Sequence, residues 1–97
     1  MMFIAVTKMQ FPVEIEAKVR EIAAASDPIF RRQAGFVSMR AFRAEDGASR
    51  MTMIEWRSKA DHERCMTSPD FAGLNQSWGA LFAQGATFEM WTGESES

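Results

Sequence analysis

Ninety-seven residues, 46% apolar and 25% charged, describe one ordinary globular domain. A chain of this length buries only about 60–70% of the surface it exposes when unfolded, so a second subunit is expected to add stability. A net charge of -2 without a Lys/Arg stripe excludes nucleic acid as the expected partner, and no apolar run approaches the ~18 residues of a membrane span, so no membrane partner is expected either.

In chain order, the opening MMFIAVTKMQ has an apolar run too short for a secretory signal and no basic flank before it. Residues 3 to 10, FIAVTKMQ, read as a strand bounded by Pro12. From Val13 the period becomes helical: Ile15, Val19, Ile22, Ala23 and Ser26 share a face, and Glu14 and Glu16 suit the positive end. Pro28 is expected to break or kink this helix near Asp27. Ile29 and Phe30 start a further turn, and Gly35 stops it.

A second strand follows over 36 to 43, and Asp46-Gly47 is the strongest hairpin signal in the chain. Residues 50 to 57, RMTMIEWR, return as the third strand. Ser58 caps a short helix over about 59 to 67, with Asp61 as a shortened capping-box partner. SPDF restarts a helix, with Pro69 in its first turn. Phe71, Leu74, Trp78, Leu81 and Phe82 form its apolar face, and Gly85 ends it. TFEMWT is the fourth strand.

Strand, helix, strand, strand, helical region, strand is the split βαβ order of an α+β, ferredoxin-like sandwich with a four-stranded antiparallel sheet. One domain is expected over 1–93, with a disordered polar tail over 94–97. Helices cover one face of such a sheet, yet both faces read as apolar. Phe3 and Ala5 oppose Ile4 and Val6; Phe36 and Phe42 oppose Val37, Met39 and Ala41; Met51 and Met53 oppose Ile54 and Trp56; Phe88 and Met90 oppose Trp91. A bare face of that kind is a large sticky patch. A twofold homodimer that packs sheet on sheet is the expected cure. The rival is a monomer with a greasy ligand-binding face.

These residues also form a pattern. Gln33, Gly35, Phe36, Val37 and Ser38, then Asp46-Gly47, then Trp56-Arg57-Ser58, then Ser68-Pro69 and Phe71 resemble the antibiotic biosynthesis monooxygenase family. The resemblance implies a ferredoxin-like protomer, a dimeric α/β barrel and a small pocket between helices and sheet. It implies cofactor-independent oxygenation of a small aromatic or quinol-like molecule. Relatives often carry a histidine nine positions after the tryptophan, where this chain has Cys65. Haem-degrading relatives place a histidine four positions after the last helix's phenylalanine, where this chain has Asn75. Tyrosines often line the pocket of relatives that oxygenate aromatic rings, and this chain has none.

The only histidine and the only cysteine, His62 and Cys65, share a helix face with Met66. His62 is a candidate general base, and Cys65 a candidate pocket thiol. Equally, Cys65 reads as a small buried apolar group and His62 as a hydrogen-bonded structural one. Asn75 is a candidate to polarise a developing enolate, and Trp78 to wall an aromatic substrate. Trp56, Arg40 and Thr7 complete the candidate binding residues, Arg40 at the rim against an anion and Thr7, with Ser38, on the floor. No metal site is expected, since zinc takes three or four ligands and no further Cys or His exists. With one cysteine there is no intramolecular disulfide, and a cytoplasmic setting is expected. Three functions remain open: a cofactor-independent monooxygenase, a non-catalytic dimeric module that binds a small ligand, and a haem binder using Cys65 or His62.

Overall fold

The computed structural model describes residues 1–96. Strand β1, Phe3–Gln10, alternates cleanly. Phe3, Ala5 and Met9 are buried, with Thr7 on the same side, while Lys8 and Gln10 are exposed. A 3₁₀ turn over Val13–Ile15 leads into helix α1, Glu16–Arg31. Val19, Ile22 and Ser26 form its buried stripe.

Of the break or kink expected at Pro28, the break does not occur: α1 runs on through Pro28 to Arg31. A mid-helix proline costs about 3 kcal/mol. Here the last turn is held from both sides. Phe30 packs against the core, and the Arg31 Nε donates to Asp27 Oδ2 at 2.7 Å.

Strands β2, Phe36–Arg43, and β3, Ser49–Trp56, form the hairpin around Asp46-Gly47. The Asp46 Oδ1 accepts from the Ala48 N–H at 2.8 Å, and Gly47 takes a φ of 71°. Helix α2, Lys59–Met66, is capped by Ser58, whose Oγ accepts from the Asp61 N–H at 3.2 Å. Helix α3, Pro69–Ala80, is capped the same way by Ser68 onto the Phe71 N–H, also at 3.2 Å. A 3₁₀ turn over Phe82–Gln84 and a left-handed Gly85 lead into strand β4, Thr87–Glu94. Phe82, expected on the buried face of the last helix, falls in this turn and is exposed.

The four strands form one antiparallel sheet in the order β2-β3-β1-β4, the ferredoxin-like arrangement. Two core clusters hold the helices on it. One joins Met9, Phe11, Val19, Ile22, Leu81 and Ala86. The other joins Phe3, Ala5, Ile54, Trp56 and Cys65.

Two further expectations change. A β-bulge between Phe36 and Ser38 shifts the register of β2. Phe36 opposite Trp56, Met39 opposite Ile54 and Ala41 opposite Thr52 then share the helix side. Phe42 and Arg40 go to the other face, opposite Met51 and Met53. The tail expected from 94 begins as ordered chain. Glu94 pairs with Phe3, and the Ser95 N–H donates to the Met2 carbonyl at 2.9 Å. Ser97 lies outside the described residues.

Gly35 sets where α2 sits. Its φ is +84°, and a Cβ there would run into the Asp61 carboxylate. Its carbonyl accepts from the Arg57 N–H at 2.8 Å. Gly35→Ala combines left-handed strain with that clash and should cost about 2 kcal/mol or more. The midpoint of urea unfolding would show it.

Candidate active site

The middle of the sheet carries small side chains. Ala5 and Thr7 on β1 and Thr52 on β3 lie between large residues at both ends. The helices rest on those ends, and a cavity of about 270 Å³ stays open under them. Ala5, Thr7, Thr52, Ile54 and Trp56 form its floor. Phe30 of α1, His62 and Met66 of α2, and Phe71, Asn75 and Trp78 of α3 form its roof. Phe82, Phe88 and Met90 line it from the β4 side.

Trp56 is 0% exposed, and its Nε1–H has no hydrogen-bond partner. A buried unpaired donor costs about 1–3 kcal/mol, so such a group calls for an explanation. His62 stands beside it with ring centroids 5.9 Å apart, and Phe3 holds the other side of the imidazole at 5.2 Å. His62 is buried, and burial pushes its pKa below the usual histidine value, partly offset by the Glu63 charge. The neutral imidazole is therefore the resting form at neutral pH. No side chain among the described residues hydrogen-bonds its ring.

Trp78 is fixed in a different way. Its Nε1–H donates to Ser26 Oγ at 3.2 Å, and Ser26 in turn donates to the Ile22 carbonyl at 2.7 Å. Phe88 meets the indole edge-on at 6.1 Å. The result is a rigid flat wall.

Of the candidate residues, His62, Asn75, Trp78, Trp56 and Thr7 come together at this cavity. Asn75 sits at its rim and is exposed, so its amide meets solvent as well as the cavity. Cys65 does not line the cavity. It is 2% exposed inside the Phe3 and Trp56 cluster, and burial, with the Asp70 charge, pushes its thiol up to about 11. Arg40 is away from the cavity as well, because the bulge turns it to the outer face opposite Met53. Ser38 is there too, donating to Glu55 Oε1 at 2.7 Å. Arg50 and Thr52 were not among the candidates. Their signal was a stride of two back along β3 from Trp56. Among the described residues no three His, Cys, Asp or Glu side chains gather as a metal site.

The profile of the antibiotic biosynthesis monooxygenase family matches residues 2–76. The chain belongs to the antibiotic biosynthesis monooxygenase family. No curated protein matches it in sequence. In structure, this family member resembles SnoaB, a cofactor-independent oxygenase from Streptomyces nogalater, with a TM-score of 0.80 and 21% identity over 99% of this chain and 94% of that one. A variant of SnoaB gives 0.83 and 22% over the same shares. Rv0793 from Mycobacterium tuberculosis gives 0.81 and 14%, covering 100% of this chain and 99% of that one. At such identities the likeness speaks for the fold.

In this family member, Cys65 should be inert while the chain is folded. A thiol held near 11 leaves about 100-fold less thiolate than an ordinary one. Ellman's reagent should label the native protein at least about 100-fold more slowly than the urea-unfolded chain.

Proposed function

We propose that the chain is a cofactor-independent monooxygenase for a small aromatic or quinol-like substrate bound in this cavity. One observation carries the reading: a neutral, buried imidazole stands at an otherwise largely apolar cavity walled by aromatic side chains. A neutral base in a water-poor site is what proton abstraction beside a carbonyl or phenol requires.

The substrate ring lies against Trp78. His62 takes a proton from a CH₂ activated by flanking rings, and the negative charge spreads onto the conjugated oxygen of the substrate. The carbanion gives electrons to dioxygen, and a C–O bond forms as a peroxide. Loss of water across that peroxide leaves a ketone. The CH₂ and O₂ become C=O and H₂O, with the substrate supplying all four electrons. The apolar walls exclude bulk water, which strengthens the polar contacts made inside. Asn75 at the rim is placed to meet a polar substituent that projects outward.

A second reading, a dimeric module that binds a small ligand without chemistry, is favoured by the absence of any side chain orienting the His62 ring. Dioxygen uptake with a panel of quinols and ring-activated CH₂ substrates separates the two. In an active preparation, His62→Ala should lower kcat by about 100-fold or more. The wild-type rate should rise with pH through an apparent pKa below 6.5 and stay level to pH 8, because burial favours the neutral base. A flat uptake trace across the panel would support binding alone.

The working unit in this reading is a homodimer. The outer face of the sheet carries Trp91, Val6 and Met53 in one cross-strand row, with Met51 and Phe42 beside it. Trp91 is 64% exposed and Phe42 60%. A second copy of the same face would cover them. The pair Phe42→Glu and Trp91→Glu should weaken the dimer by about 100-fold or more, read by sedimentation velocity across protein concentration. A wild-type chain that stays monomeric at every concentration would remove the dimer. The lone free thiol suits a reducing, cytoplasmic setting.

A further inference from the structure

Among the described residues, Arg50 is a cation without a counter-charge. It lies on the helix side of β3 and lines the cavity. Its cross-strand neighbours are Met9 on β1 and Arg43 on β2. Like charges directly opposite one another are unfavourable. Glu16 of α1, the acid that engages Arg43, is shared between that residue and, at 3.2 Å, Arg20. Those guanidinium groups hold Glu16 below the usual carboxylate range. Among the described residues nothing pairs with Arg50. Burial alone acts on it and pulls its pKa down. Half-buried charges in proteins are normally matched by a partner. In this cavity no side chain among the described residues takes the partner's place.

The surroundings of Arg50 narrow what could fill that place. Phe88, Met9, Arg50 and Arg43 lie in one row across the sheet. Trp78 stands edge-on over Phe88. A flat ring beside Trp78 and Phe88 therefore has a guanidinium two strands away and a second one beyond it. Arginine matches a planar carboxylate with two parallel N–H donors.

We propose that Arg50 is the anion-binding residue of the cavity, and that the ligand is a flat aromatic molecule bearing a carboxylate. The aromatic body lies against Trp78 and Phe88, and the acid pairs with Arg50. Anchoring at Arg50 is three strides along β3 from Trp56, so it leaves the His62 end free for the reacting carbon. The inference rests on the cavity being the ligand site, and it holds whether or not the protein turns its ligand over.

Two probes of equal shape test it: 2-naphthoate and 2-naphthamide, titrated calorimetrically into the full chain at pH 7.5. The wild type should bind the acid about tenfold or more tightly than the amide, as a charge-assisted pair implies. Arg50→Met should abolish that preference by weakening the acid alone, with amide affinity unchanged. Arg50→Lys should keep part of it. Should Arg50→Met fail to fold, Arg50→Gln gives the same readout. Equal binding of both probes by the wild type, a preference that survives Arg50→Met or Arg50→Gln, or no binding of either probe would overturn the proposal. A protein that prefers the acid but consumes no dioxygen would leave it standing and remove the oxygenase reading.

Discussion

Trp56 is where sheet, helix and cavity meet. It ends β3, packs edge-on to Phe36 of β2 at 6.2 Å and stands beside His62 of α2. Burying a tryptophan removes roughly 150–250 Å² from water, which contributes about 4–6 kcal/mol as an upper estimate. Leaving its N–H unpaired costs about 1–3 kcal/mol. Burial wins, so the fold tolerates an orphan donor inside the Phe3 and Trp56 cluster. The same packing fixes the start of α2. With Ser58 capping that helix and Gly35 making room for Asp61, His62 has one place to go.

The cavity follows from a graded floor. Large side chains stand at both ends of β1 and β3, and Ala5, Thr7 and Thr52 stand between them. Two core clusters form and do not merge. An empty apolar space forfeits dispersion contacts. The roof stays up because Phe30 meets Phe71 across α1 and α3 at 6.1 Å, and because Ser26 holds the Trp78 indole. The part of the molecule that looks least economical as packing is thus the part suited to hold a ligand.

Much of this was legible in the chain. The change from a period of two to a helical period at Val13, the Asp46-Gly47 turn and the two Ser caps placed the elements within a residue or two. Local chemistry dictates such signals. Two errors came from competing effects that no local rule ranks. Pro28 did not break α1, whose last turn the packing of Phe30 and the Arg31–Asp27 bond hold. The bulge at Val37 reversed the facing of the rest of β2, which moved Arg40 out of the candidate site and Met39 into the core. A single inserted residue flips every later side chain, and alternation within one strand cannot reveal it, because the register is set by the partner strand.

The sequence by itself determined the order of elements, the family pattern and the identity of the one histidine able to act near neutral pH. These depend on residue type and spacing, which the chain carries locally. Only the tertiary structure decided which side chains share the cavity. It buried Cys65 away from that cavity, opened Asn75 to solvent, left the Trp56 N–H unpaired and set Arg50 beside Arg43 with Glu16 already engaged. Each of these depends on what a distant strand or helix places opposite a residue, and burial, pairing and charge balance exist only once those segments are packed.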